Sequence, residues 1–233
     1  MHLVEGTLST TTTLLTTTGG LIAYGAACYG ARKEMTLKRL PSLAMAAGLV
    51  FLAQALNVAT GFGFSGHLIG GALLAIMFGP WSAMLPMGLI LGGQAVFLGD
   101  GSISTLGANF LNMGLVASWV GYACYKGMDR LLGGRYQLGS LGVAAYVSTV
   151  SAALSLSLQL GYAVPSLLSA HMIIGFIEAG LSMLVFALCV QQSSAAVRWK
   201  PALGLAIIAF ALLPLSSEQP DGMEHSLEQH TKV

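Results

Sequence analysis

Residues 65–81 read SGHLIGGALLAIMFGPW, an apolar run in which His67 is the only ionisable side chain. A Gly-Pro pair at 79–80 interrupts the run, because proline has no amide hydrogen for the backbone bond that a continuing helix needs. A second apolar run follows at once. The sequence therefore predicts two helices, 66–80 and 82–98, joined tightly at this break.

The composition of the whole chain indicates a membrane protein. Of its 233 residues, 55% are hydrophobic and only 8% are charged, and the mean hydropathy is +0.76. Soluble domains carry roughly 25% charged residues, so too few charges are present to cover a water-facing surface. The sequence predicts an all-α polytopic membrane protein, and a net charge of +1 argues against nucleic acid as a partner. We expect a membrane domain over 1–195 and a C-terminal span with a polar tail over 196–233.

Eight segments of the chain are candidates for membrane spans. A helix needs about 20 apolar residues to cross a bilayer, and the third segment is short. The first segment contains a threonine run, whose hydroxyls can bond to carbonyls of the same helix, so a helix remains possible there. The segments are 8–31, 41–58, 66–80, 82–98, 106–126, 139–160, 169–191 and 201–217.

The basic residues set the expected orientation. With eight spans, nine of the ten Lys and Arg residues fall on one face of the membrane, and only Lys232 falls on the other. Because cytoplasmic loops are rich in Lys and Arg, we expect that face to be cytoplasmic and the N-terminus to lie outside. The outer loops are then 59–65, 99–105 and 161–168. The nine residues are Arg32, Lys33, Lys38, Arg39, Lys126, Arg130, Arg135, Arg198 and Lys200.

The first two residues can bind a metal. The chain begins MHLVEG, without the basic n-region or early cleavage site of a signal peptide, so we expect Met1 and His2 to remain. The α-amine, the His2 amide nitrogen and His2 Nδ1 can enclose one metal in two chelate rings. Loss of the amide proton and planar nitrogen geometry both favour Ni(II) or Cu(II). His67, expected at the same outer face, can add a fourth nitrogen. Alternatively, His2 is incidental and His67 is an interfacial, hydrogen-bonded histidine.

Several polar residues lie within or beside the predicted spans. Glu178 is the only acidic residue well inside one, which indicates a functional site or a hydrogen bond to another helix. His171, seven residues earlier, shares its helix face. Asn109 and Asn112 are candidates for bonds between helices or for support of a metal ligand. Asp100 is expected to be a turn residue.

Small residues form two i,i+4 pairs on the second segment: Ser42 with Ala46, and Ala44 with Gly48. Such pairs suit the close approach of another helix. That helix belongs either to this chain or to a partner subunit.

Four stretches together resemble the CbiM/NikM family: MHLVEG, SGHLIGGALLAIMFGPW, LGANFLNMG and HMIIGFIEAG. These proteins are substrate-capture (S) components of energy-coupling-factor (ECF) transporters for cobalt and nickel. The similarity runs in order through roughly 1–195. Family members often have Phe-Leu-Pro after the opening Glu-Gly, where this chain has Thr-Leu-Ser. The segment ending SSEQPDGMEHSLE resembles a PDGLE-type segment of nickel components, with Met223 in place of Leu.

The resemblance implies an S-component bundle with an extra N-terminal helix, giving seven core spans, with the eighth span as an auxiliary piece. It implies a metal site formed by the Met1 amine, the amide and imidazole nitrogens of His2, and the His67 imidazole. Ni(II) or Co(II), with nickel favoured, would be captured from outside a prokaryotic cell membrane.

The resemblance also implies partner subunits. A transmembrane coupling subunit of the EcfT type would dock on the helix that carries Ser42 and Ala44, and two ATPase subunits would drive transport. A small auxiliary membrane subunit is a further candidate. The chain has no GxxxxGK[ST] pattern, so we expect ATP hydrolysis on the partners and no enzyme activity in this chain.

Two other functions fit parts of the sequence. Residues 63–66 match the GxSG of rhomboid intramembrane serine proteases, with Ser65 as nucleophile and His171 as base. However, the glycine after His171 is at the wrong spacing for that family. A proton-coupled secondary transporter using Glu178 and His171 would be expected to contain inverted repeats, and we see none in the sequence.

Overall fold

The computed structural model describes residues 2–60, 64–161, 165–191, 196–197, 199–217 and 219. Most of these residues are helical, and two small antiparallel hairpins pair β1 (Val58–Ala59) with β2 (Ser65–Gly66) and β3 (Val190–Gln191) with β4 (Ala196–Val197). Single 3-10 turns occur at Leu37–Arg39 and Leu213–Leu215, and π-helical turns at Gln94–Leu98 and Phe110–Val116. The helices are α1 (Thr10–Glu34), α2 (Leu40–Gln54), α3 (Gly71–Phe78), α4 (Pro80–Gly93), α5 (Leu106–Asn109), α6 (Ala117–Leu131), α7 (Gln137–Leu160), α8 (Pro165–Cys189) and α9 (Trp199–Leu212).

The chain is a helical, multi-pass membrane protein. Within the described residues, three helices are long and apolar enough to cross a bilayer: Pro80–Leu98, Gln137–Leu160 and Leu167–Cys189. A fourth candidate span is the pair formed by α1 and α2, which is bent by 103°. A helix occurs in each of the eight predicted segments, whereas the count of eight spans stays a prediction.

The third segment differs from its prediction. The break at the Gly-Pro pair is confirmed, since Gly79 adopts a φ of +95° between α3 and α4. However, the helix begins at Gly71 rather than at residue 66, because Ser65–Gly66 form a strand and Gly70, with a φ of +76°, lies outside the right-handed helical region. With eight residues, α3 is about 12 Å long, too short to cross a bilayer. It contacts α2, α4, α6 and α7, and all of its residues except Ile76 are buried.

Charged side chains hold the break between α3 and α4. Arg39 Nη2 donates to the Met77 carbonyl (2.6 Å) in the last turn of α3. Glu34 Oε2 accepts from the Ser82 amide (2.8 Å) in the first turn of α4, and its carboxylate fills the space beside Gly79. A cation at a helix C-terminus and an anion at a helix N-terminus are both favourable with the helix dipole. Glu34 and Arg39 flank the bend between α1 and α2, so they tie this bend to the centre of the fold.

The threonine run does form a helix, as predicted. Ser9 caps α1 by accepting from the Thr12 amide (3.1 Å), and the Thr16 hydroxyl donates to the Thr12 carbonyl (2.8 Å). Small residues bring α1 close to α5: a Cβ added at Gly20 would lie 2.9 Å from Gly107 Cα. At the last position of the departure from Phe-Leu-Pro, Ser9 thus supplies the cap of α1.

The small residues of α2 do not form a single docking surface. Ala46 is buried in the core, and Ser42 is partly buried. Ala46 therefore packs within the chain itself, which is one of the two alternatives for this pair, whereas docking of a partner on α2 stays a prediction. Ala44 and Gly48 are exposed, and Gly48 borders a groove between α2 and α9.

Replacing Gly20 by Ala tests the contact between α1 and α5. The added Cβ would meet the backbone of Gly107, which cannot rotate away, so the helices must separate. We expect a loss of about 1–3 kcal/mol in the free energy of unfolding, measured as a lower midpoint of thermal unfolding of the purified protein. Gly25→Ala is the matched control, because that position lies on the same helix with no atom within 4 Å. Equal losses for both variants would contradict the close contact.

Candidate functional site

The segment before α1 is held by hydrogen bonds to its backbone. The Leu3 amide donates to Asn109 Oδ1 (2.8 Å), and Asn109 Nδ2 donates to the Leu3 carbonyl (3.2 Å). The Thr105 hydroxyl donates to the same carbonyl (2.5 Å). Leu3 is fully buried. The main-chain groups of Leu3 are thus bonded as they would be in a β-ladder, with side chains taking the place of the second strand.

The helix that supplies these side chains is irregular at this point. Thr105 is the N-cap residue of α5 and Asn109 its last residue, and a seven-residue π-helical stretch follows. Such stretches re-aim side chains within a helix and are frequent at functional sites. Both residues are buried.

The clamped segment places His2 against His67. The two rings are nearly parallel, with an interplanar angle of 18° and centroids 5.0 Å apart. His2 is 3% exposed and His67 is 7% exposed. Within the described residues, neither Nδ1 nor Nε2 of His2 has a hydrogen-bond partner. Buried polar atoms are nearly always bonded, so this imidazole is suited to a further ligand.

His67 is oriented through its own backbone. Its Nδ1 lies 3.0 Å from the Leu68 carbonyl oxygen, which can only accept, so Nδ1 carries the proton. In the neutral ring the lone pair is then on Nε2. A bond of this kind, from one ring nitrogen to a carbonyl, is the usual support for a histidine that binds metal through the other nitrogen.

Glu178 fixes the residues that follow His67. Its Oε2 accepts from the Ile69 amide (2.6 Å) and its Oε1 from the Gly70 amide (2.8 Å). Gln54 Nε2 donates to the Ile69 carbonyl (2.6 Å). These bonds fix the backbone of Ile69 and Gly70 ahead of α3 and place a carboxylate at the N-terminus of that helix, where the helix dipole favours it. Glu178 is 2% exposed. Both of these hydrogen bonds go to backbone amides and neither goes to a histidine ring, so Glu178 acts on His67 through the backbone.

Asp100 also reaches the site, although the sequence analysis assigned it only a turn. Its Oδ1 lies 2.9 Å from His2 Nδ1, and its side chain is 39% exposed. Burial alone would raise the pKa of the Asp100 carboxyl, but contact with His2 and the positive charge that His2 and His67 can carry keep this pKa below its ordinary value. A carboxylate therefore lies beside the histidine pair.

Other predicted residues lie apart from the histidine pair. Asn112 exchanges hydrogen bonds with Gln159 (2.7 and 3.1 Å) and accepts one from Ser155 (2.8 Å), joining the π-helical stretch to α7. His171 Nδ1 is 2.7 Å from the Leu167 carbonyl of its own helix. The bonds of Asn112 match its predicted alternative of bonds between helices, and the bond of His171 lies within its own helix.

The segment after α9 returns to the β1–β2 hairpin. The Ser217 amide donates to the Asn57 carbonyl (2.8 Å), and the Asn57 amide donates to Ser216 Oγ (2.8 Å). Ser65 Oγ donates to the Gln219 carbonyl (2.8 Å). The C-terminal segment is therefore attached to the strand that precedes His67. The rest of the PDGLE-like tail, including Met223, lies outside the described residues.

The described residues contain only part of the predicted ligand set. Met1 lies outside them, so His2 and His67 are the two predicted ligands whose positions are seen. No three His, Cys, Asp or Glu side chains of the described chain are arranged to hold a metal ion. The predicted ligand set consists of the α-amine, one amide and two imidazoles, so it includes only two such side chains.

Sequence reasoning missed two residues of this site, Thr105 and Asp100. For Asp100 a signal was present: the predicted outer loop 99–105 lies on the same face as Met1 and His67. For Thr105 none was present, because a hydroxyl that binds a distant backbone carbonyl has no pattern of its own.

The fold is that of a transition-metal transporter. A solved structure described as a truncated transition metal transporter matches 80% of this chain and 97% of its own length, with a TM-score of 0.72 and 30% sequence identity. A second, described as a transition metal transporter, gives a TM-score of 0.72 and 31% identity, covering 80% of this chain and 91% of that one.

The chain belongs to the CbiM family. The family model described as "Cobalt uptake substrate-specific transmembrane region" matches residues 2–196. The resemblance found in the sequence is thereby confirmed, and with it membership of a family of cobalt and nickel transport proteins.

Individual relatives are named as nickel or cobalt transport proteins. The probable fused nickel transport protein LarMN of Lactiplantibacillus plantarum is 36% identical over 171 residues, which are 63% of this chain and 51% of that protein. The fused nickel transport protein NikMN of Rhodobacter capsulatus is 30% identical over 163 residues, 69% of this chain and 47% of that protein. The putative cobalt transport protein CbiM of Halobacterium salinarum is 31% identical over 171 residues, 71% of this chain and 75% of that protein. The chain thus spans about half the length of the two fused relatives.

Replacing Asn109 by Ala tests the attachment of the N-terminal segment. The change removes two of the three bonds to Leu3 and leaves its buried amide without a partner, at a cost of about 1–3 kcal/mol. We expect amide hydrogen exchange at residues 3–5 to become at least about tenfold faster. Asn112→Ala is the control, since it breaks bonds to α7 only. Unchanged exchange in Asn109→Ala would show that the clamp does not hold the segment.

Replacing Glu178 by Gln tests the support of 67–70. The amide side chain has one acceptor oxygen for two backbone donors, so one of the Ile69 and Gly70 amides loses its partner. We expect the free energy of unfolding to fall by about 1–3 kcal/mol, with faster hydrogen exchange at residues 69–70. Glu5→Gln, at an exposed acidic residue, should change neither quantity. An unaltered unfolding midpoint in Glu178→Gln would rule out this role.

Proposed function

We propose that the chain captures a divalent transition metal ion, with nickel favoured over cobalt, as the S component of an ATP-driven ECF transporter. The ligands are the Met1 amine, the His2 amide nitrogen and Nδ1, and the His67 imidazole. The N-terminus faces outside, and the metal arrives from that side.

The observation that carries this proposal is the buried contact between His2 and His67. Two imidazoles at neighbouring corners of one square plane have centroids about 4.5 Å apart, given metal–nitrogen bonds of about 2.0–2.1 Å. The observed separation is 5.0 Å, with the rings within 18° of parallel. The two imidazoles are thus close to the separation that a shared metal requires, and the stacked rings would turn so that both lone pairs point at it.

The surrounding bonds support this chemistry before any metal arrives. Asn109 and Thr105 fix Leu3, so the backbone next to His2 is already in place. Glu178 and Gln54 fix Ile69, so the backbone next to His67 is in place as well. Less conformational freedom remains to be lost on binding, which favours high affinity. The metal displaces protons from the amine and the His2 amide, so affinity should fall at low pH.

Transport requires partners that this chain does not supply. We propose a transmembrane coupling subunit of the EcfT type, two ATPase subunits and a small auxiliary membrane subunit. Ala44 and Gly48 are the exposed small residues of α2 and are the docking candidates that remain after Ala46 is found buried. Release would follow when ATP-driven motion of the complex opens the site inward.

Nickel is favoured on two grounds. The first is the planar nitrogen set, since such geometry is typical of Ni(II) and Cu(II). The second is the similarity to relatives named as fused nickel transport proteins, together with the PDGLE-like tail. Cobalt stays a candidate because other relatives carry its name.

The protease alternative has no support from the structure or from the relatives. Ser65 Oγ donates to the Gln219 carbonyl, and His171 Nδ1 lies at hydrogen-bond distance from the Leu167 carbonyl. Neither bond joins Ser65 to His171. Gly63 of the GxSG pattern lies outside the described residues.

Two extra residues before Met1 test the ligand set, because a single one would make His2 the third residue and create a new planar chelate from the added amine, two amides and the imidazole. The extension converts the amine to an amide and removes the terminal chelate ring, so metal binding should be lost. Metal content and visible absorption are measured after loading with Ni(II) or Co(II). The native form is expected to hold one metal per chain with a planar-nickel band, and the extended form none.

Two controls accompany this experiment. The same two residues added at the C-terminus should leave binding intact, and so should Ser65→Ala. Equal binding by the native and the N-terminally extended forms would show that the amine is no ligand, and the proposed site would be wrong.

A further inference from the structure

The carboxylate of Asp100 is not one of the four proposed donors, yet it touches one of them. Its Oδ1 is 2.9 Å from His2 Nδ1, the ring nitrogen that the chelate uses. Its side chain is 39% exposed, whereas His2 is 3% exposed and His67 is 7% exposed. An ion from solvent can therefore reach Asp100 before it reaches the buried imidazoles.

The distance between the two atoms suits a metal that touches both. An ion with bonds of about 2.0–2.2 Å to nitrogen and oxygen holds two neighbouring donors about 2.9 Å apart when the bonds meet at a right angle. The oxygen then lies beside the lone-pair axis of the nitrogen rather than on it. The same distance also suits an ion pair between the carboxylate and a protonated His2, so the contact exists before any metal binds. One ion can thus bind the oxygen and the nitrogen in succession without crossing a gap.

The turn that carries Asp100 is fixed relative to His2. The flanking residues Gly99 and Gly101 have φ values of +67° and +85°, a conformation that favours glycine. The Asp100 amide donates to the Gln94 carbonyl (3.2 Å). A Cβ added at Gly101 would lie 3.5 Å from both His2 Cβ and the Leu3 carbonyl oxygen, so the turn packs directly on the clamped segment.

We propose that Asp100 is the capture ligand of the metal site: its carboxylate binds the hydrated Ni(II) or Co(II) ion first and passes it to His2. One water leaves the ion as the carboxylate oxygen binds, and the carboxylate leaves as the nitrogen donors close around the metal. This inference rests on the proposed function. In the loaded state four nitrogens hold the ion, so Asp100 governs the rate of arrival and hardly affects the rate of departure.

Asp100→Asn tests this role, because it removes the charge while preserving the shape of the side chain. Purified full-length protein with its native N-terminus is mixed with nickel chloride, and absorbance is followed by stopped flow. A fixed charge at a binding site raises association rates by tenfold or more, so we expect the association rate constant to fall by about tenfold. Dissociation into excess chelator should change by less than about twofold. Added salt should slow the native protein more than the variant, because it screens the charge.

Glu5→Gln is the matched control. Glu5 is an exposed acidic residue on the same N-terminal segment, so its removal changes the net charge by the same amount without altering the contact with His2. We expect native association rates. If Glu5→Gln slows association as much as Asp100→Asn does, the effect is one of net charge, and the proposal is wrong.

A second variant, Asp100→Glu, guards against misfolding of the turn. It retains the charge, so association should stay within about threefold of native. Association as slow as in Asp100→Asn would mean that the shape of the turn sets the rate, and would overturn the proposal. Unchanged association in Asp100→Asn would also overturn it, as would faster dissociation with native association. If the native protein binds no nickel, the proposed function itself fails, and this outcome is distinct from the others.

Discussion

The two hydrogen bonds from the backbone of Ile69 and Gly70 to Glu178 are the constraint on which the site depends. A carboxylate buried in a membrane protein is costly unless its charge is compensated. Here it is compensated by two backbone amides and by the dipole of α3, at whose N-terminus it lies. In return, the carboxylate fixes the two residues that precede α3, and Gly70 departs from the helical conformation with a φ of +76°. His67 therefore lies in a segment outside the helix, where the Leu68 carbonyl holds its ring.

The opposite end of α3 is held in a similar way. Arg39 binds the last turn of α3 and Glu34 binds the first turn of α4, one on each side of the break at Gly79. A short, almost fully buried helix thus has an anion at its start and a cation at its end. Because α3 is about 12 Å long, it links the bend between α1 and α2 directly to the residues next to His67.

Much of this arrangement follows from the sequence, and the failures have identifiable causes. Hydropathy located a helix in each of the eight segments, and the Gly-Pro pair marked the break, because these signals are local. The start of α3 was misplaced, since residues 66–70 belong to the same apolar run as the helix and the side chains that hold them outside it, Gln54 and Glu178, are distant in the chain. For Ala46 the sequence left two alternatives open, because spacing shows that a helix face is small but not which way it points.

The sequence predicted the candidate metal ligands of the site, but not the hydrogen bonds that hold those ligands in place. His2 and His67 stand out as rare ionisable residues at the ends of apolar segments. Asn109 and Glu178 stand out as polar residues within them, although their partners are backbone groups that no pattern reveals. Asp100 was read as a turn residue, and it does lie in a turn, but the contact with His2 depends on where the N-terminal segment is clamped.

The clamp on Leu3 has a consequence for how this site tolerates change. Asn109 and Thr105 bind only the amide and carbonyl of Leu3, groups that every residue except proline possesses. These bonds constrain the position of the third residue along the chain, while burial constrains its side chain separately. A slip of one residue would turn a different side chain toward His67, as in a strand whose register shifts. The clamp therefore fixes the length of the N-terminal segment as well as its place, and a single insertion or deletion would displace every residue ahead of Leu3.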